Sequence, residues 1–187
     1  MTEPGLNVLL VEDSSADLEL TVHALRGEGL AHEIDVARDG EEALDYLFCR
    51  NAHDDRSFED APRLVLLDLK LPKVHGLEVL RQLKEDPRTR AIPVVILTAS
   101  REEDDRTRAY RQGANGYVQK PVDFEAFRAV MRHVGLYWLV VNQPAPAAAF
   151  REPAAAPVAN GAQDREVGEI QQTPPLELMP GGDLRAG

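Results

Sequence analysis

The chain is 187 residues long, enough for one domain with a real core. Its hydrophobic content of 43% is that of a globular protein, and its formal charge of -11 opposes phosphate backbones and anionic lipid, which excludes nucleic-acid or membrane binding through a general basic surface. The single cysteine, Cys49, excludes an internal disulfide and points to a reducing, cytoplasmic setting.

The elements alternate strand and helix five times. Residues 7–13 form a first apolar strand that stops on Glu12 and Asp13, and Leu18, Val22 and Leu25 then recur at helical spacing until Gly27 and Gly29 end the run. A second strand is predicted over 32–37. Asp39 and Glu42 read as a capping box opening a second helix, with Ala43, Leu44, Leu47 and Cys49 on its packed side and an end near Arg50. Residues 51–62 turn polar and acidic, longer than the usual connection, and read as an inserted surface loop.

The third strand, 63–68, is the most continuously apolar and stops on Asp68. Helix three follows over 76–86 with Leu77, Leu80 and Leu83 on one face. The fourth strand, 93–98, ends on Thr98. Ser100 and Glu103 resemble a capping box for a fourth helix whose acids come first and whose arginines come last, the order that suits the helix dipole. The fifth strand, 116–120, ends on Lys120, and Asp123 caps a fifth helix whose Phe124, Phe127, Met131 and Val134 face the sheet.

The run from Leu136 to Val141 is too short to span a bilayer and carries more apolar area than one sheet face covers, which predicts a partner surface. Residues 144–187 hold seven of the thirteen prolines and no periodic apolar pattern, so they read as a disordered tail behind a domain of residues 1–143.

This alternation predicts an α/β fold with a doubly wound parallel sheet. Its carboxyl ends share one rim, where Glu12, Asp13, Asp68, Thr98 and Lys120 meet. Three carboxylates there need cations, and a divalent ion with Lys120 would balance them; oxygen ligands of this kind select magnesium. Asp68 is the candidate nucleophile toward phosphorus, and Thr98 can donate its hydroxyl proton to a phosphoryl oxygen. The five histidines show no ligand spacing.

An acid pair after strand one, Asp68 after strand three, Thr98 after strand four and Lys120-Pro121 after strand five resemble the receiver domain of two-component response regulators, over residues 6 to about 142. The resemblance implies a five-stranded, flavodoxin-like sheet in the order 2-1-3-4-5 with five helices, and phosphorylation of Asp68 by the phosphohistidine of a sensor histidine kinase. It implies Mg2+ held by Asp13, Asp68 and the Lys70 carbonyl, with Glu12 acting through water. Thr98 and Tyr117 hold the switch positions, the bond before Pro121 is expected to be cis, and small Ala99 leaves access for a donor. Dimerisation is expected through helix four, strand five and helix five.

His75 stands where Asp or Asn is usual before Gly76, so a looser start to helix three is expected. Lys70, two residues after Asp68, is a long cation expected to lie near the phosphate. The loop after helix two and the Leu-Tyr-Trp-Leu ending resemble the single-domain regulators of phytochrome-type kinases. The function implied is a stand-alone phosphoacceptor switch rather than an enzyme. The alternatives are a phosphorelay intermediate that passes its phosphate to a histidine phosphotransfer protein, and an aspartyl-phosphate phosphohydrolase, against which Lys70 argues because it replaces the second aspartate such enzymes use.

Overall fold

The computed structural model describes residues 7–27, 29 and 33–150. Five strands, β1 (Asn7–Val11), β2 (Glu33–Ala37), β3 (Leu64–Leu67), β4 (Val94–Thr98) and β5 (Gly116–Gln119), form one parallel sheet in the order β2-β1-β3-β4-β5. Helices α1 (Ser15–Gly27), α2 (Gly40–Leu47), α3 (Gly76–Glu85), α4 (Glu103–Arg111) and α5 (Phe124–Gly135) connect and follow them. The expected order holds. His32, expected in β2, lies outside the described residues.

Strand alternation builds two cores. Leu9, Val11, Val65, Leu67, Val94 and Ile96 point to the side covered by α2, α3 and α4, while Val8, Leu10, Leu64, Leu66, Val95 and Leu97 point to the side covered by α1 and α5. Both faces are buried, which is why β1, β3 and β4 read as continuous apolar runs. Among the described residues no helix is long and apolar enough to cross a membrane.

Several local expectations change. Asp39 accepts from the Glu42 amide at 2.9 Å, but the Glu42 carboxylate returns to the Arg38 amide at 2.7 Å, one residue before a capping box would place it. Helix α2 ends at Leu47, so Cys49 is not a helix residue; it is half-buried beyond the end, with φ 53°. His75 caps α3 after all, its Nδ1 accepting from the Leu77 amide at 3.2 Å. Ser100 does not cap α4, which starts at Glu103; its hydroxyl instead donates to Asp105 at 2.8 Å. Phe127 and Met131 enter the core, whereas Phe124 is exposed.

The insert between α2 and β3 is ordered by short helical turns at Asn51–His53 and Phe58–Asp60. The Arg56 guanidinium lies 3.7 Å from the Tyr46 ring centre, the Tyr46 hydroxyl donates to Asp35 at 2.5 Å, and Arg88 covers Phe58. After α5 the chain continues as a π-helical turn, Leu136–Val141. This widened winding buries Leu139 and leaves Leu136, Tyr137, Val140 and Val141 exposed. Of the residues expected to be disordered, 144–150 are described: Ala147–Phe150 form a turn and Phe150 packs against the core beneath β3 and β4. The remainder, 151–187, lies outside the described residues.

Candidate functional site

The site is built at the switch point, where successive connections leave β1 and β3 toward opposite faces. Glu12 and Asp68 directly follow β1 and β3, Thr98 ends β4 and Lys120 directly follows β5. Glycine makes this corner possible: a Cβ on Gly76 would sit 2.1 Å from the Asp68 carbonyl oxygen, so only glycine lets the start of α3 lie against the end of β3.

The Lys120 ammonium is the centre. It donates to Glu12 Oε2 at 2.5 Å, Asp17 Oδ2 at 2.8 Å and Asp68 Oδ2 at 2.9 Å. Glu12 Oε1 accepts from the Ser14 amide at 3.1 Å, and Asp68 Oδ1 from the Leu69 and Lys70 amides at 2.6 and 3.2 Å. Each carboxylate is thus held by both of its oxygens, or, for Asp17, by the helix that carries it. Burial pushes Glu12 above the usual carboxylate range, only partly offset by Lys120. Burial also acts to lower Lys120, but the hydrogen bonds it donates to Asp17, Glu12 and Asp68 outweigh it and hold the ammonium above its ordinary value.

Sequence reasoning foresaw Glu12, Asp68 and Lys120 together, and the structure brings them together. It missed Asp17, which supplies the third carboxylate on Lys120, whereas Asp13 is exposed. The available signal was an acid in the first turn of α1 that no capping role explained. The bond between Lys120 and Pro121 is trans, not cis. The ammonium reaches all its partners from that backbone, and trans is the ordinarily favoured form, by about 0.5–1 kcal/mol.

Thr98 is fully buried, and its hydroxyl accepts from the Ser100 amide at 3.3 Å. The Tyr117 hydroxyl is buried without a hydrogen-bond partner. Ala99 is exposed and, with Asp17, Lys120, Val122 and Phe124, lines a cleft of about 290 Å³. Lys70 is exposed, so its contribution at the site is its amide.

Comparison with known proteins matches residues 8–132 to the response regulator receiver domain. The probable methanogenesis regulatory protein FilR2 of Methanothrix harundinacea is 45% identical over 75% of this chain and 88% of its own. The Mn(2+)-bound form of response regulator Rcp1 is 34% identical at a TM-score of 0.70, covering 75% of this chain and 99% of that one. Rcp1 is a protein of Synechocystis. The phosphorylated cyanobacterial phytochrome response regulator RcpA is 35% identical at a TM-score of 0.71, over 76% and 99%. A family match across most of the folded residues, on a sheet of this order with its carboxylates and lysine on one rim, makes this chain a member of the response regulator receiver domain family.

Proposed function

We propose that the chain is a signalling switch in which Asp68 takes a phosphoryl group from the phosphohistidine of a sensor kinase of phytochrome type. The observation that carries this reading is the hold on Asp68: one oxygen lies on Lys120 at 2.9 Å and the other on two backbone amides. A carboxylate fixed this way has its direction set and a cation beside it to offset incoming negative charge. An Asp68 oxygen forms the new bond to phosphorus as the bond to the donor histidine nitrogen breaks. The electron pair leaves on that nitrogen, which takes up a proton.

Among the described residues no three His, Cys, Asp or Glu side chains converge as a ready-made metal cage. Mg2+ does not require one, because it is held by one or two carboxylates and keeps several waters. The donor set fits it, since three carboxylates share one ammonium and leave two formal negative charges uncompensated. Asp13, Asp68 and the Lys70 carbonyl would hold the ion, with Glu12 acting through water, and it would neutralise charge on the transferred group. The manganese-bound Rcp1 and the phosphorylated RcpA support both halves of the reading.

In the switch, the Thr98 hydroxyl leaves the Ser100 amide for a phosphoryl oxygen, and Tyr117, with no partner for its hydroxyl, follows it. The output is a change of surface on α4, β5 and α5. The exposed Leu136, Tyr137, Val140 and Val141 lie beside that surface and are proposed as a homodimer contact. Turnover as a phosphohydrolase is disfavoured because the exposed side chain two residues beyond Asp68 is the ammonium of Lys70, not a carboxylic acid. The exchange is proposed for the cytoplasm, where the free thiol of Cys49 is at home.

The test is labelling with acetyl phosphate and Mg2+, and with phosphorylated kinases, read by intact mass. Wild type gains one phosphoryl group and Asp68→Asn gains none. Equal labelling of Asp68→Asn would overturn the assignment.

A further inference from the structure

Lys120 has three donors, and in this structure all three are taken. If Asp68 is the phosphoacceptor, on which this inference rests, a phosphoryl oxygen arriving there can reach the ammonium only by displacing one of the present partners. Which partner yields is decided by what each loses. The Glu12 side chain is 2% exposed, so without Lys120 it would keep a buried charge with only the Ser14 amide on it. Asp68 is the reacting group itself. The Asp17 side chain is 38% exposed and can exchange the ammonium for water at little cost.

We propose that Asp17 is a positioning residue that holds the Lys120 ammonium in the resting site and surrenders that bond to the incoming phosphoryl group. Its backbone is fixed for the task. The Asp17 amide donates to Ser14 Oγ at 3.3 Å, and its carbonyl accepts from the fully buried Thr21 hydroxyl at 2.8 Å. The first turn of α1 therefore stays in place while the side chain turns. Asp17 and Lys120 also line one cleft together, so the carboxylate that gives way has open space beside it to turn into.

Two consequences follow from a carboxylate that competes with phosphate for one ammonium. It keeps Lys120 pointed at the site when phosphate is absent, and it weakens binding of the phosphoryl group by the strength of the bond that must be given up. An ion pair exposed to this degree is of the size that shifts an equilibrium by about two- to fivefold.

The test is titration of the full chain with beryllofluoride at saturating Mg2+, followed by calorimetry, with urea unfolding to verify the fold of each variant. Asp17→Asn, which removes the charge that holds the ammonium, is expected to reach half-saturation at about two- to fivefold lower beryllofluoride. Asp17→Glu, which keeps the charge, is expected to return toward wild type, a rescue that a merely structural role would not give. If Asp17→Asn unfolds, Asp17→Ser removes the carboxylate in the same titration. Half-saturation that is unchanged or raised without the carboxylate, or that moves alike in the Asn and Glu variants, overturns the proposal. Failure of the wild type to bind beryllofluoride, or equal binding by Asp68→Asn, overturns the phosphoacceptor reading and this role with it.

Discussion

The Lys84 ammonium reaches from α3 to the side chain of Asn115, donating to its Oδ1 at 3.0 Å. The same ammonium donates to the carbonyls of Ile92 at 2.7 Å and Arg90 at 3.2 Å, and the same oxygen of Asn115 accepts from the Val94 amide at 2.9 Å. Two side chains thus tie α3 to the start of β4 and to the residue before β5.

Burial pushes Lys84 down to about 8, well below its ordinary range. The sign follows from linkage: above that value the unfolded chain binds this proton and the folded chain does not, so this group makes stability rise with pH between about 8 and 10.5. Urea unfolding measured across that window should show the rise, and Lys84→Met should flatten it. Asn115→Ala strands the Val94 amide and should cost about 1–3 kcal/mol.

Gly76→Ala should be destabilising beyond its size. The added carbon meets the Asp68 carbonyl oxygen at 2.1 Å and the Leu69 Cα at 2.7 Å, so α3 must move away from the strand that carries the acceptor. A cost of about 1–3 kcal/mol is expected from such overpacking, measured by urea unfolding, together with slower labelling by acetyl phosphate.

Lys120→Met leaves Glu12, Asp17 and Asp68 without their common cation. Glu12 is already raised by burial, so its protonated form favours the folded state; that contribution is present at low pH and is lost as pH rises through its folded value. The variant should therefore be destabilised by about 3–5 kcal/mol at neutral pH and recover part of this on acidification. Thermal unfolding over a pH series measures it, and a deficit independent of pH would contradict the assignment.

Tyr46→Phe and Arg56→Ala test the insert. The first removes the bond to Asp35 and should cost about 0.5–1.5 kcal/mol. The second removes the cation over the Tyr46 ring and should expose 51–62 to limited proteolysis. In the wild type the Tyr46 phenol, raised by burial and then by Asp35, should stay protonated through alkaline pH in an absorbance titration.

A charge in the π turn tests the dimer contact. Val140→Glu and Leu136→Glu place carboxylates on exposed positions and should leave stability within about 0.5 kcal/mol. Sedimentation should show self-association in the wild type and its loss in both variants.

The sheet and its order were legible because both faces are buried and each strand stops on a polar residue: Leu64 to Leu67 could hardly be anything but a central strand. Glu12, Asp68 and Lys120 were legible for the same reason, since strand ends share a rim whatever the details. Asp17 was not, because its approach to Lys120 depends on the rotation of α1, which is set by packing of Ala24 and Leu25 against the sheet and α5. The role of Ser100 was hidden likewise: a hydroxyl can cap a helix or bond its side chains, and only the position of Asp105 decides. The packing of Phe150 went unseen because one aromatic among prolines and alanines has no periodicity to reveal it.

The seat of Phe150 bears on how the protein can be handled. Its cleft is lined by Pro62, Arg63 and Pro93, which precede β3 and β4, whereas Asp68 and Thr98 stand at the far ends of those strands. The four residues of β3 separate Arg63 from Asp68, five steps along the chain and roughly 16 Å at the rise of a strand. A reporter or surface tether joined directly after Phe150 would therefore start from the pole opposite the acceptor, leaving the rim open to a kinase.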